Sequence, residues 1–180
     1  MAITRLNNNS ITSITALPSG VGGKILQIQS TLHTATFTQS LSVNTATGIN
    51  NLIVNITPSS TSSKIFLFGR VFCELNAGAE NAVYFFTRGG TKINVGDTAG
   101  NRTTGMATMG ANFSNNENDT PDTVSMFTVD SPSSTSQQTF QIGIETHDAT
   151  SINVNRTVAD TNNGYEERGS SEIIAMEVGA

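Results

Sequence analysis

The eleven residues Lys64-Ile65-Phe66-Leu67-Phe68-Gly69-Arg70-Val71-Phe72-Cys73-Glu74 constrain this chain more than any other segment. In an extended strand successive side chains point to opposite faces. Ile65, Leu67, Val71 and Cys73 therefore share one face, and Phe66, Phe68 and Phe72 share the other. A sheet with one wet side reads as a clean apolar/polar alternation, and this strand is apolar on both. Soluble monomers rarely leave an apolar patch of three phenyl rings open to water. Ala82 to Arg88 repeats the pattern, with Tyr84 and Phe86 opposite Val83 and Phe85. The expectation is that Phe66, Phe68, Phe72, Tyr84 and Phe86 are covered by neighbouring subunits in a closed homo-oligomer. The alternative is a strand buried on both sides by the chain's own loops.

The remainder reads as strands of five to ten residues separated by turn clusters. The segments are Lys24 to Ser30, Thr34 to Val43, Asn50 to Thr57, Lys64 to Glu74, Ala82 to Arg88 and Thr91 to Val95. They continue with Gly105 to Phe113, Thr123 to Val129, Thr139 to His147, Ser151 to Asn155 and Ser171 to Val178. Leu52, Val54 and Ile56 alternate with Ile53 and Asn55, as on a half-buried strand. Arg88-Gly89-Gly90-Thr91 reads as a hairpin turn whose glycines supply positive φ. No amphipathic helical period is found, and 64 of the 180 residues are Thr, Ser or Asn. These side chains compete with the helix backbone for hydrogen bonds and so favour strands and turns. The predicted fold is all-β, an antiparallel jelly-roll β-sandwich of about ten strands over residues 24–180.

Residues 1–23 differ. Ile3, Leu6, Ile11, Ile14, Leu17 and Val21 are single apolar residues among Asn, Ser and Thr, and Pro18, Gly20, Gly22 and Gly23 punctuate the end. Too little apolar surface is present to offset the entropy of ordering. The segment reads as an extended N-terminal arm that orders against a partner.

Chemistry-bearing patterns are sparse. The net charge of −5 argues against nucleic acid or an anionic membrane as partner. One Cys excludes an internal disulfide framework and multi-Cys metal sites. Cys73 reads as a small buried hydrophobe. His33 and His147 are the only imidazoles, neither beside a nucleophile elbow. Asn115 to Asp119 and Asp160 to Glu167 offer oxygen ligands for calcium, but neither has EF-hand spacing, and solvated acidic loops are the simpler reading. Arg88-Gly89-Gly90-Thr91-Lys92 lacks the spacing of a phosphate-binding loop. Catalytic, cofactor-binding and metal residues are therefore assigned as none. With no signal-peptide pattern at the start and no apolar run of about 20 residues, the expectation is a soluble protein made in a bacterial cytoplasm.

The ordered set Gly23-Lys24-Ile25-Leu26-Gln27, Ile56-Thr57-Pro58-Ser59-Ser60, Arg88-Gly89-Gly90-Thr91 and Gly96-Asp97-Thr98-Ala99-Gly100-Asn101-Arg102 carries a resemblance. So do Asp130-Ser131-Pro132-Ser133, Asn153-Val154-Asn155-Arg156 and the closing Arg168-Gly169-Ser170-Ser171-Glu172-Ile173-Ile174-Ala175-Met176-Glu177-Val178. Together they resemble small accessory virion proteins of tailed bacteriophages, especially those of marine bacteria and cyanobacteria. The resemblance implies a trimeric jelly roll located on the virion. Two functions fit it. One is a head decoration, or cement, protein that binds the major capsid protein through Ile3, Leu6, Ile11 and Ile14 of the arm. The other is a tail-fibre or receptor-binding module, with Asn101, Arg102, Asn115, Glu117 and Tyr165 as candidate ligand contacts. A polysaccharide hydrolase using Glu166 and Glu167 is a third class, disfavoured because no acid/base constellation stands out.

Overall fold

The computed structural model describes residues 24–76, 81–109 and 119–179; the arm residues Ile3, Leu6, Ile11 and Ile14 lie outside them. Among the described residues there are eleven strands and no helix. They are β1 (Ile25–His33), β2 (Phe37–Leu41), β3 (Thr47–Ile56), β4 (Lys64–Leu75), β5 (Ala82–Arg88) and β6 (Thr91–Ile93). β7 (Ala107–Thr108), β8 (Asp122–Asp130), β9 (Gln138–Thr146), β10 (Thr150–Val154) and β11 (Ser171–Val178) complete the set. Every predicted segment overlaps one of them.

Two antiparallel sheets pack face to face. In the first, β4 is central, with β8 along one side and β11 followed by β10 along the other; β1 lies outside β11 and β2 outside β10. The second runs β3-β9-β5-β6, with β7 also on β5. The period-two patterns aim apolar side chains between the sheets. Ile65, Leu67, Val71, Cys73, Ile173 and Ala175 come from one side, and Leu52, Val54, Ile56, Phe140, Ile142 and Ile144 from the other. Burial of this surface, at about 25 cal/mol per Å², is the main force holding the sheets together.

Local chemistry agrees with the turns. Gly89 and Gly90 have φ of 57° and 83°, so both central residues of the β5–β6 hairpin sit where a type I′ turn needs them. The long β3–β4 connection is held from the last strand. Glu177 is fully buried, and its carboxylate accepts hydrogen bonds from Gln27 Nε2 (2.6 Å), Ser59 N and Oγ (both 2.7 Å) and Ser63 Oγ (2.7 Å). Burial by itself would raise this carboxyl, but the hydrogen bonds outweigh it and hold it down at about 2. At the other end of the first sheet Glu74 plays a similar part. It accepts from Thr120 N and Val158 N, fixing the segment that leads into β8 and the one that follows β10.

Candidate subunit interface

The inner face of the first sheet is core; its outer face is also apolar and faces outward. Register places Val129, Phe66, Met176 and Ile28 in one row across β8, β4, β11 and β1. Phe127, Phe68, Ile174 and Ser30 form the next row, and Ser125, Arg70, Glu172 and Leu32 the third. Phe127 is 78% exposed and Phe68 41%, and Val129, Ile28 and Leu32 are exposed with them. Between β8, β4 and β11 the surface dips into an open groove of about 370 Å³, floored by Gly69 and Met126 and walled by Phe68, Phe127 and Ile174. Its remaining wall is Ser125, Arg70 and Glu172.

Arg70 is held rather than free. Its Nη1 donates to Ser170 O at 2.7 Å and its Nη2 to Ser170 Oγ at 3.0 Å, with Glu172 Oε2 3.8 Å from Nη2. These are the only charged residues in the three rows, and they are of opposite sign.

Of the five residues expected at a subunit interface, three lie on this face. Phe68 is exposed, Phe66 is partly covered, and Phe72 is partly covered by its own chain at Gly169. Tyr84 and Phe86 require a correction. Both are fully buried in the protomer's own core, between the two sheets, and cannot meet a neighbouring subunit. The other face of β5 is also covered within the chain. Phe85 is fully buried; Lys92 Nζ stands 4.3 Å from its ring centroid, anchored by Glu145 Oε2 (2.5 Å) and Thr104 O (2.9 Å). Gly143, paired with Phe85 on β9, leaves the space the ring occupies: a Cβ there would lie 2.4 Å from Phe85 Cε2. The doubly apolar β5 is thus the strand buried by its own chain, and β4 is the strand left open.

Phe127, Val129, Ile28, Leu32, Ile174 and Met176 belong to the same face and were not singled out from the sequence. The signal was present, since Phe127 and Val129 alternate with Met126 and Thr128. Only the register that aligns them with Phe66 and Phe68 shows that they form one surface.

The remaining candidates are dispersed. Cys73 is fully buried with Sγ 3.3 Å from Tyr84 Oη, and burial pushes its thiol up to about 12 against a lowering by that contact. The His33 ring meets Phe37 edge-on at 5.3 Å, and His147 is exposed beyond the end of β9. Asp160 pairs with Arg156 and Arg168, and Glu166 accepts from Thr161, so these acids serve the 155–170 segment's own structure. Tyr165, Asn101 and Arg102 are exposed; Asn115 and Glu117 lie outside the described residues. Among the described residues no group of three or more His, Cys, Asp or Glu could hold a metal ion.

No protein-family model matches the chain, and no curated protein matches its sequence.

Proposed function

We propose that this chain is a structural protein of a tailed-bacteriophage virion: a homotrimeric jelly roll that decorates the head and clamps neighbouring capsid subunits through residues 1–23. The observation that carries the reading is the outer face of β8, β4, β11 and β1, a contiguous apolar surface centred on Phe68 and Phe127. A surface of that kind marks an interaction site on a soluble protein. A second apolar surface would cover it well.

The strand order supports the jelly-roll part. Taken in chain order, β1, β3, β4, β5, β6, β8, β9 and β11 pair first with eighth, eighth with third, and third with sixth. In the second sheet the pairing is second with seventh, seventh with fourth, and fourth with fifth. That nesting is the order expected of a jelly roll's double Greek key and supports that reading. Threefold symmetry and the virion location rest on the resemblance of the ordered motifs. Ile3, Leu6, Ile11 and Ile14 would anchor the arm by apolar burial at about 25 cal/mol per Å², repeated by each copy of the trimer through avidity.

The test has two parts. Light scattering on the purified full chain at micromolar concentration should give a trimer; a monomer would sink the proposal. Deleting residues 1–17 should leave trimers that no longer bind expanded capsids, and retained binding would remove the clamp. Hundreds of copies per particle fit decoration, whereas a few copies would move the protein to a tail fibre.

A further inference from the structure

We infer that Arg70 and Glu172 set the register in which a second copy of this chain covers the outer face of the first sheet. The inference rests on the assembly reading above and deepens it.

The pair lies in the third row of the face, directly beside two rows in which Ser30 is the single polar side chain. Arg70 and Glu172 side chains are 42% and 26% exposed, so a molecule laid on Phe68 and Phe127 would remove water from them too. A desolvated ion pair contributes little net stability compared with apolar side chains of the same size, yet leaving one member without its partner is strongly unfavourable. The double hydrogen bond to Ser170 holds the guanidinium at this face. A partner that slipped by one row would press this ion pair against phenyl rings, which strips its water and offers no polar group in return. Only registers that keep each charge opposed are permitted, which is the best-attested use of polar groups within apolar interfaces.

A second copy is the occupant that the face fits. The chain as a whole carries −5, but within the three rows Arg70 and Glu172 cancel, and Lys64, in the row beyond Phe66 and Met176, is held by Ser131 Oγ at 2.7 Å, so the chain's negative charge is not concentrated on this face. Four strands about 4.8 Å apart, of 8, 9, 9 and 12 residues, offer roughly 600 Å² per copy, three quarters of the ~800 Å² that each partner gives a standard interface. Because the face carries both signs, Arg70 of one copy can meet Glu172 of the next.

The experiment measures association of the full chain over a concentration series, by sedimentation equilibrium and mass photometry. It compares the wild type with Arg70→Met, Glu172→Met, the double R70M/E172M and the swap R70E/E172R. Each single replacement should weaken association at least tenfold. The double apolar replacement should associate at least as tightly as wild type but populate more than one oligomeric state, and the swap should restore a single state. Circular dichroism and thermal melting establish that each variant is folded; the swap and Glu172→Gln serve if Arg70→Met is not. Singles that associate like wild type, or a double that keeps one state, overturn the inference. If Phe68→Ser and Phe127→Ser still dissociate the assembly in that case, the assembly reading stands without the register pair. A wild type that is monomeric throughout, including one whose face takes another protein, overturns both.

Discussion

Phe68 and Phe127 stand directly opposite each other in the antiparallel ladder between β4 and β8, both on the side away from the core. Cross-strand aromatic pairs stabilise a sheet by up to about 1 kcal/mol, too little to explain two large rings left in water. Replacing either with Ser should therefore cost the isolated fold no more than about 1 kcal/mol while dissociating the oligomer. Urea melts of the monomeric variants, set beside their sedimentation profiles, separate the two effects. Equal loss of folding and assembly would mean that the rings belong to the core after all.

Glu177 gives the fold an acid sensitivity of defined sign. Its carboxyl is held at about 2, below the ~4.3 of an unfolded Glu, so the unfolded chain binds this proton first. The contribution is complete above about pH 4.3 and is lost as pH falls from there towards 2. Glu177→Gln should lose about 1–3 kcal/mol at pH 7, since the amide cannot accept all four hydrogen bonds. It should also show a weaker decline than wild type between pH 4.5 and 2.5. Urea midpoints at several pH values check this, and parallel curves would remove Glu177 from the account.

Gly143→Ala should destabilise the protein by about 1–3 kcal/mol, the usual cost of overpacking, because the new Cβ would fall 2.4 Å from Phe85 Cε2. Phe85→Leu in the same chain should recover part of the loss. Additive melting temperatures for the double variant would argue against the contact.

Cys73 should resist thiol reagents. With the thiol raised to about 12 by burial, almost no thiolate exists at pH 8, and the sulfur is closed to solvent. Labelling is expected to follow global unfolding in urea. Rapid labelling of the native protein would show that the β4–β5 region opens locally.

The sequence conveyed where the chain is extended and little about which side of it faces inward. β3 is the simple case: Leu52, Val54 and Ile56 are buried and Asn55 is exposed, as their alternation requires. β4 and β5 look alike as sequences, each apolar on both faces, yet they have opposite fates. Lys92, held by Glu145 and the carbonyl of Thr104, closes over Phe85, and that depends on long-range pairing between β5 and β9 which no local pattern encodes. Phe127 was hidden for the same reason. Alternation marked its strand, but only the ladder to β4 places it beside Phe68. The extent of β1, which continues to His33, likewise follows from its pairing with Ser171 on β11 and not from a turn signal.

The N–H of Gly179 donates to the carbonyl of Lys24 at 2.9 Å, so both ends of the described chain leave from one corner, where β1 and β11 begin their ladder. Hydrogen bonds between antiparallel strands lie across the strand direction. A pull on the chain ahead of Lys24 that acts sideways would open the ladder like a zipper, one residue pair after another. A pull along the axis of β1 would load its eight pairs with β11 together. For a protein held at that corner, the angle of the tether governs the mechanical strength of the fold.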